Sequence, residues 1–329
     1  MSRRKIDEAA HFEIITKMNQ APTSYRRSLA HHWLIRSGLA LSVLTLSQCA
    51  QPTRMADPPI QCDACAEWNK PQPPFRIFGN TYYVGVEGLS AVLIDGGSEL
   101  MLLDGGLSQS APLVAKNIEA LGFSLRKVRI LAGSHAHHDH AGGLAALKRW
   151  SGAQAVASPR GAEALRTGNV TSDDPQAGFG PKEMAYPALS VDKTILDGES
   201  LSVGNVSVTG HYTPGHTPGG MSWSWQSCEG SRCLHMVYAD SLNPISAPGF
   251  RFTQIPERVS AFRQSIATVR SLPCDVLISA HPGMSSLFER WEASKRTGSR
   301  DSFVQKSGCS DYAADAERKL DQRLAEEAR

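Results

Sequence analysis

The sequence has no strong excess of charge and no long low-complexity tract. Its 329 residues carry a formal net charge of +2, with 34 Lys and Arg against 32 Asp and Glu. A balance this even argues against the basic surface that nucleic-acid binding requires. Hydrophobic residues make up 41% and charged residues 20% of the chain, which is the composition of a globular protein rather than a disordered one.

The most apolar stretch near the start of the chain is also too short to cross a bilayer. The stretch GLALSVLTL at residues 38–46 is far shorter than the roughly 20 residues of a spanning helix. It follows Arg26, Arg27 and Arg36, a pattern typical of a signal peptide. We therefore predict a signal peptide and N-terminal extension over residues 1–50, export to the periplasm and no stable membrane association. Cys49 offers a lipid-anchor alternative, which Gln48 disfavours because a small residue is expected before such a cysteine.

Cysteine is scarce, and its number fits an exported protein. Without Cys49, six cysteines remain, namely Cys62, Cys65, Cys228, Cys233, Cys274 and Cys309. An even number in an oxidising compartment predicts disulfides, although fifteen pairings are formally possible. Cys228 and Cys233 flank EGSR, which reads as a hairpin tip. Cys62 and Cys65 form a C-x-x-C pair; we favour a structural bridge over a redox or metal role because no thioredoxin-like strand and helix pattern surrounds it.

Strand and helix signals begin after a Pro-rich lead-in at residues 51–75 and divide the chain into two comparable halves, residues 76–190 and 191–309. Short glycine-punctuated β-rich runs lie at residues 76–86, 90–97, 100–106, 127–133, 193–198, 201–212, 219–227, 233–241 and 274–281. Helical spacing of apolar residues marks residues 110–122, 142–150, 256–273 and 312–328. Residues 168–190 are rich in Gly, Pro, Asp and Ser and predict a loop. Two mixed sheets packed face to face, with helices outside, satisfy this order, so we expect a single domain over residues 76–329.

The segment SHAHHDHAGG at residues 134–143 concentrates metal-binding side chains. Side chains two positions apart in extended chain point the same way, so His135 and His137 can bind one ion, while Asp139 and His140 would face a second. These nitrogen and oxygen donors suit zinc. A solvated, histidine-rich loop is the alternative. The position of the cluster, at a strand end before a glycine-started helix, favours a built site instead.

Two further histidines occupy similar settings. His216 lies in TPGHTPGG and His281 in SAHPG, each after a β-rich run and among Gly and Pro. Such residues form tight turns that present a side chain from the backbone. A single histidine is more often an ordinary core or surface residue, but beside an H-x-H-x-D-H segment both become candidate ligands.

Four segments in this order, SHAHHDHAGG, TPGHTPGG, YADSL and SAHPG, resemble the metallo-β-lactamase superfamily, and most of all its subclass B3. The resemblance covers about residues 66–325 and implies a four-layered αβ/βα sandwich with a dinuclear zinc site at one edge. It assigns His135, His137 and His216 to the first zinc. It assigns Asp139, His140 and His281 to the second, because Ser241 stands where other lactamase subclasses carry a cysteine ligand. It also implies a Cys274–Cys309 disulfide.

The resemblance further implies a function, the zinc-dependent hydrolysis of β-lactam antibiotics (penicillins, cephalosporins and carbapenems) that confers resistance. A hydroxide bridging the two zinc ions would attack the lactam carbonyl, and Asp139 would act as the catalytic residue that orients it. Ser241 and Asn243 would bind the antibiotic carboxylate and Trp68 would line the pocket. Asn243 departs from the family pattern, in which serine or threonine is commoner. The expected partner is this small molecule, and the expected state is a monomer.

Other readings remain open on sequence alone. The same fold hosts glyoxalase II-like thioesterases and lactonases, in which an aspartate at a position like Asp240 bridges both metals, so contact between Asp240 and metal would weaken the lactamase interpretation. A non-catalytic zinc-binding protein is a third possibility, disfavoured because two complete ligand sets indicate an open catalytic site. His138 should point away from the ions, and His211 is either a neighbour of the ligands or an ordinary buried histidine.

Overall fold

Two β-sheets form the centre of the computed structural model, which describes residues 54–329. The first sheet has seven strands in the order β1 to β7, and the second has five in the order β12, β11, β10, β9, β8. The strands of the first sheet are β1 Phe75–Phe78, β2 Thr81–Tyr83, β3 Val92–Asp95, β4 Leu100–Leu103, β5 Val128–Ala132, β6 Gln154–Ala157 and β7 Lys193–Thr194. Those of the second are β8 Ser200–Val203, β9 Val206–Tyr212, β10 Met221–Glu229, β11 Arg232–Ala239 and β12 Val276–Ser279.

Both sheets are mixed. Strands β1 to β4 pair antiparallel, whereas β4 to β7 pair parallel. In the second sheet β8 to β11 form an antiparallel meander, and β12 joins β11 in parallel. Parallel neighbours need crossover connections, and helices supply most of them.

Eight α-helices accompany these strands in the described residues. They are α1 Cys65–Trp68, α2 Ala111–Ala120, α3 His138–Ala141, α4 Leu144–Ser151, α5 Pro159–Thr167, α6 Pro256–Ser271, α7 Leu287–Thr297 and α8 Gly308–Glu327. Helix α5 illustrates how the local sequence sets the boundaries. The Ser158 hydroxyl caps its first turn by accepting a hydrogen bond from the Gly161 amide, Pro159 occupies the first turn, and Gly168 ends the helix in the left-handed region.

The core is divided into layers. The largest hydrophobic cluster lies between the sheets and includes Met101 and Leu103 of β4 together with Trp223 of β10 and Met236 of β11. A second cluster packs α2 and α4 on the outer face of the first sheet, and a third packs α6 and α8 on the outer face of the second. The order is therefore helix, sheet, sheet, helix, and the predicted four-layered αβ/βα sandwich is confirmed.

Two details differ from the sequence-based expectation. The run at residues 193–198 was assigned to the second half, but its strand β7 is the edge of the first sheet. The last helix begins at Gly308 rather than at Tyr312. The predicted signal peptide and Cys49 lie outside the described residues. Within residues 54–329, no helix combines the length and the apolar character needed to cross a membrane.

Candidate metal centre

The histidine-rich segment follows the central parallel strand β5. This strand ends at Ala132, and His137 is the last extended residue before the one-turn helix α3, with φ −98° and ψ 157°. The change from extended chain to helix separates the donors, because His135 and His137 precede α3, whereas Asp139 and His140 lie on it. All four side chains are buried.

One group of donors comprises His135, His137 and His216. Each contributes a ring nitrogen, and these nitrogens lie within 4.8 Å of one another. His216 reaches the group from the loop between β9 and β10. The three imidazoles meet edge to face, with ring centroids 4.8 to 4.9 Å apart. Three nitrogens at this spacing can converge on one ion.

A second group of donors lies beside the first. The Asp139 Oδ2 atom is 3.2 Å from His140 Nε2 and 3.3 Å from His281 Nε2, and the two Nε2 atoms are 3.3 Å apart. His281 comes from the turn that follows β12. His135 also lies within 4.8 Å of the Asp139 and His140 donors, so the two groups adjoin.

Each candidate ligand ring is held by a partner on its far side. Four Nδ1 atoms contact an oxygen, namely His135 with Asp240 Oδ1 at 2.8 Å, His140 with Asp104 Oδ2 at 3.1 Å, His216 with the Asn243 carbonyl at 2.9 Å and His281 with the Gly88 carbonyl at 3.1 Å. In these four rings Nε2 is left for a metal. His137 is held through Nε2 by Asp174 Oδ1 at 3.3 Å, which leaves Nδ1. Such partners fix the tautomer and the ring orientation of metal ligands.

Asp104 and Asp174 contact candidate ligands but were not among the residues predicted from the sequence. Asp104 follows β4 and accepts hydrogen bonds from the Ser134 amide at 2.6 Å, the Ser134 hydroxyl at 2.7 Å and the Tyr238 hydroxyl at 2.6 Å, in addition to its contact with His140. Its φ of 60° is unusual for a residue other than glycine. The one sequence signal for Asp104 is an aspartate at a strand end in the glycine turn LMLLDGG.

Asp240 lies behind His135 and outside both donor groups. Its Oδ1 atom accepts hydrogen bonds from His135 Nδ1 and from the Ser241 amide, each at 2.8 Å. Burial raises the pKa of Asp240 well above its usual range. Through Oδ1, Asp240 contacts the far side of the His135 ring, and it belongs to neither donor group.

Burial also sets the charge of the first group. It lowers the pKa of His216 to about 3. Burial, together with the neighbouring imidazoles, holds the pKa of His135 well below its usual range. Both rings are neutral at pH 7, which is the form in which imidazole binds a metal.

In the second group, by contrast, the surroundings favour a positive charge. Burial opposes charge on both partners, yet the carboxylates of Asp139 and Asp104 raise the pKa of His140 to about 10. His140 and His281 in turn hold the pKa of Asp139 well below its usual range. A positive charge is thus strongly favoured at this position, and a bound cation would replace the proton that supplies it.

A cavity of about 680 Å³ opens above both groups. Its lining includes Trp68, Asp139, Ser241, Asn243 and His281, and the Trp68 and His281 ring centroids are 5.4 Å apart. The size is that of a site for a small molecule. Among residues 54–329, the buried Ser241 Oγ and Asn243 Oδ1 atoms find no hydrogen-bond partner.

The remaining histidines of the two motifs lie outside the donor groups. His138 also lines the cavity, and its buried Nδ1 has no partner in the described part of the chain. His211, on β9, contacts the Ser224 hydroxyl at 2.8 Å. It is therefore held by a neighbouring strand rather than by the candidate ligands.

Within residues 54–329 the structure contains three disulfides, Cys62–Cys65, Cys228–Cys233 and Cys274–Cys309. Cys228 and Cys233 are paired across β10 and β11 at the tip of their hairpin. Cys274 lies just before β12 and Cys309 in the first turn of α8, so this bridge joins the second sheet to its outer helix layer.

Comparison with known proteins agrees with this geometry. The sequence model of the metallo-β-lactamase superfamily matches residues 84–229. The solved structure of Rm3 metallo-β-lactamase is 51% identical, with a TM-score of 0.77 and coverage of 82% of this chain and 100% of that chain. MEM-A1, a subclass B3 metallo-β-lactamase from a soil metagenome library, is 44% identical, with a TM-score of 0.75 and coverage of 79% and 98%.

A curated relative is more distant. A probable metallo-hydrolase of Burkholderia pseudomallei strain 1710b is 30% identical over 146 residues, which are 41% of this chain and 47% of that protein. The chain thus spans about half the length of this curated relative.

The sandwich fold, the two donor groups and these similarities agree with one another, and the chain belongs to the metallo-β-lactamase superfamily. Within it, the chain is similar over most of its length to structures of subclass B3.

Proposed function

We propose that this protein hydrolyses the amide bond of β-lactam antibiotics with two zinc ions. The observation that carries the proposal is the presence of two adjoining metal-sized donor groups at the floor of one cavity. The first ion would be held by His135, His137 and His216, and the second by Asp139, His140 and His281. The mutual distances of 3.2 to 3.3 Å among the last three donors support this division.

The donor chemistry fits zinc. Five imidazole nitrogens and one carboxylate are borderline donors that zinc accepts in tetrahedral or five-coordinate sites, and three protein ligands per ion leave positions open for catalysis. Zinc bound there would supply a Lewis acid for the lactam carbonyl and the activation of water near neutral pH. The partners Asp240, Asp104 and Asp174 would keep the ligand rings in the binding orientation.

Asp139 has a second role in this proposal. It lines the cavity, and its low pKa keeps it ionised. An ionised carboxylate accepts a hydrogen bond from the attacking water and so directs a lone pair of that water toward the carbonyl carbon. Asp139 is therefore the proposed catalytic residue.

Ser241 and Asn243 are the proposed contacts of the antibiotic carboxylate. A buried polar atom without a partner is costly. Both residues line the cavity, and within residues 54–329 the buried Ser241 Oγ and Asn243 Oδ1 atoms have no hydrogen-bond partner. The antibiotic carboxylate would accept hydrogen bonds from the Ser241 hydroxyl and from the Asn243 side-chain N–H, whereas a donor on the ligand would satisfy Asn243 Oδ1. Trp68 also lines the cavity and would pack against the body of the antibiotic.

The apolar rim of the cavity suits a substrate with a bulky apolar substituent. Phe179, Ile245 and Met284 line the cavity and are among the few large hydrophobic residues exposed in residues 54–329, at 42%, 51% and 39%. We include penicillins, cephalosporins and carbapenems among the substrates, and resistance as the consequence. The three disulfides support export to the periplasm, where such bridges persist, and we propose that the enzyme acts there as a monomer.

The direct test is hydrolysis of a carbapenem and a penicillin by the purified protein. We expect turnover of both, loss of turnover with EDTA and recovery when zinc is added back. Asp139→Ala should abolish turnover, whereas His211→Ala, which changes a histidine outside the donor groups, should retain it. If the zinc-loaded protein cleaves neither antibiotic, the β-lactamase proposal is wrong, and thioesters and lactones become the substrates to test.

A further inference from the structure

The loop at residues 84–91, which joins β2 to β3, is docked on the end of β12. The Ser90 amide donates to the Ala280 carbonyl at 2.9 Å, and the Ser90 hydroxyl donates to the Ser279 carbonyl at 2.8 Å. One residue further along, His281 Nδ1 lies 3.1 Å from the Gly88 carbonyl. The 84–91 loop therefore holds both the backbone that leads to His281 and the imidazole ring itself.

The other side of the same loop is held by helix α1 and by Lys70, two residues after its end. The Gly88 amide donates to the Trp68 carbonyl, and the Glu87 amide donates to the Lys70 carbonyl, each at 2.9 Å. The approach at Gly88 is too close for any side chain. A Cβ atom there would lie 2.6 Å from both the Cα and the Cδ1 of Trp68. Gly88 thus joins the two segments, with its N–H bonded to α1 and its carbonyl accepting from His281.

Helix α1 cannot hold this position by helix propensity alone, because it is four residues long and isolated helices of one turn do not form in water. Two features fix it. The Cys62–Cys65 disulfide closes the turn that begins the helix. The Cys65 side chain, 5% exposed, packs in a small cluster with Val86, Leu89 and Leu107, so two residues of the 84–91 loop lie in that cluster.

We propose that helix α1, closed by the Cys62–Cys65 disulfide, is a positioning element for His281 and acts through Gly88. The inference rests on the proposed two-ion site. Loss of the bridge frees α1, the Gly88 carbonyl loses its fixed place, and the His281 ring loses the acceptor that orients its Nε2. Removing such a support lowers metal affinity about 10- to 100-fold. The effect falls on the second ion only, because His135, His137 and His216 are held by Asp240, Asp174 and Asn243.

The test compares two disulfide variants of the full-length protein. Cys62→Ala/Cys65→Ala removes the α1 bridge, and Cys228→Ala/Cys233→Ala removes a bridge of similar loop length at the β10–β11 hairpin tip. Metal-free proteins are titrated with zinc against a chromophoric chelator, and the histidine ring signals are followed by NMR. We expect two zinc equivalents in the wild type and the hairpin variant. In the α1 variant the second equivalent should bind 10- to 100-fold more weakly, the first should be unchanged, and the Nδ1–H signal of His281 should lose its protection from exchange.

A glycine pair tests the same inference without touching a disulfide. Gly88→Ala should weaken the second zinc equivalent in the same way, because Trp68 must move. Gly122→Ala is the control, since it also introduces a Cβ, at a φ of +85° and with no atom within 4 Å of it; it should lose stability and bind both ions normally. If the wild type binds two ions and both the α1 and the Gly88 variants bind them with wild-type affinity, the positioning role is wrong. A wild type that binds only one ion instead overturns the two-ion site, and this inference with it.

Discussion

At the scale of one residue, Ser241 is expected to contribute to substrate binding but not to the stability of the fold. Its buried hydroxyl oxygen has no hydrogen-bond partner within residues 54–329. Replacing it with alanine therefore removes no protein hydrogen bond, and we expect Ser241→Ala to change the free energy of unfolding by less than about 0.5 kcal/mol. A hydrogen bond to a charged group contributes about 1.5 kcal/mol, so KM for a β-lactam should rise about tenfold with little change in kcat.

The matched control for this prediction is a substrate without the charged carboxylate. The methyl ester of the same β-lactam has no charged carboxylate, so wild type and Ser241→Ala should show similar KM values for it. Steady-state kinetics with acid and ester, together with urea unfolding, make the comparison. Equal KM values of the two proteins for the free acid would remove Ser241 from the carboxylate site.

Sequence alone predicts the site residues that lie close together along the chain, but not those that only the fold brings to the site. His135, His137, Asp139 and His140 fall within six positions, and their spacing alone indicates metal binding. Asp104 and Asp174 contact His140 and His137 from 36 and 37 residues away. A lone aspartate in a glycine turn or a loop carries no local pattern that distinguishes it from an ordinary turn residue. Only the fold brings these carboxylates to the rings.

At the scale of secondary structure, most strands and the helices α2, α4, α6 and α8 were predicted, whereas strand β6 and the helices α5 and α7 were not. Strands β3, β4, β5 and β12 are fully or largely buried and stand out as apolar runs between glycines. Helix α7 has no counterpart in the prediction, although Leu287, Phe288 and Trp291 lie at helical spacing and pack on the core. Its other buried residues, Arg290 and Ser294, are polar and interrupt the apolar pattern. Arg290 is buried because it donates to the carbonyl groups of Leu277, Ser285 and Phe303.

Helix α5 was missed for a different reason. Its sequence PRGAEALRT contains Pro159 and Gly161, which ordinarily interrupt helices. The proline lies in the first turn, where its missing N–H costs nothing. Gly161 packs against Gly219, whose own Cβ would lie 2.2 Å from the Gly161 amide nitrogen. This close approach of α5 to the loop that carries His216 requires glycine at position 219. A Cβ atom at Gly161 would lie 3.0 Å from Ser158 Oγ and 3.3 Å from the Gly219 carbonyl oxygen, so the helix glycine also sits in a tight contact.

The Cys274–Cys309 bridge allows a prediction about how elements are joined. It closes a segment of the chain with a sequence separation of 35 that contains β12, His281 and α7, whereas Cys228–Cys233 has a separation of 5. Because a longer closed loop restricts the unfolded chain more, removing the first bridge should lower the free energy of unfolding by about 3–4 kcal/mol and removing the second by about 2 kcal/mol. Guanidinium unfolding of Cys274→Ala/Cys309→Ala and Cys228→Ala/Cys233→Ala measures both. A larger loss for the hairpin bridge would contradict this account.

At the scale of the whole molecule, the candidate metal centre joins the two halves of the sandwich. His135, His137, Asp139 and His140 follow β5 of the first sheet, whereas His216 and His281 come from turns of the second. Each proposed ion takes ligands from both halves. Since the unfolded chain cannot bring these donors together, metal bound to the native state should stabilise the entire fold rather than the site alone.

The stabilisation of the fold by bound zinc is expected to be large enough to measure. At a free zinc concentration a thousand times the dissociation constant, one site adds about 4 kcal/mol to the free energy of unfolding. For a domain of this size that corresponds to a rise in Tm of roughly 10 °C. Calorimetry of the metal-free and zinc-loaded protein should show one cooperative transition that moves as a whole. His216→Ala should lose much of the shift and His211→Ala should keep it, because only His216 belongs to a donor group. A zinc-bound protein with an unchanged Tm would mean that zinc binds the unfolded chain as tightly as the native one, which contradicts a site whose donors only the fold brings together.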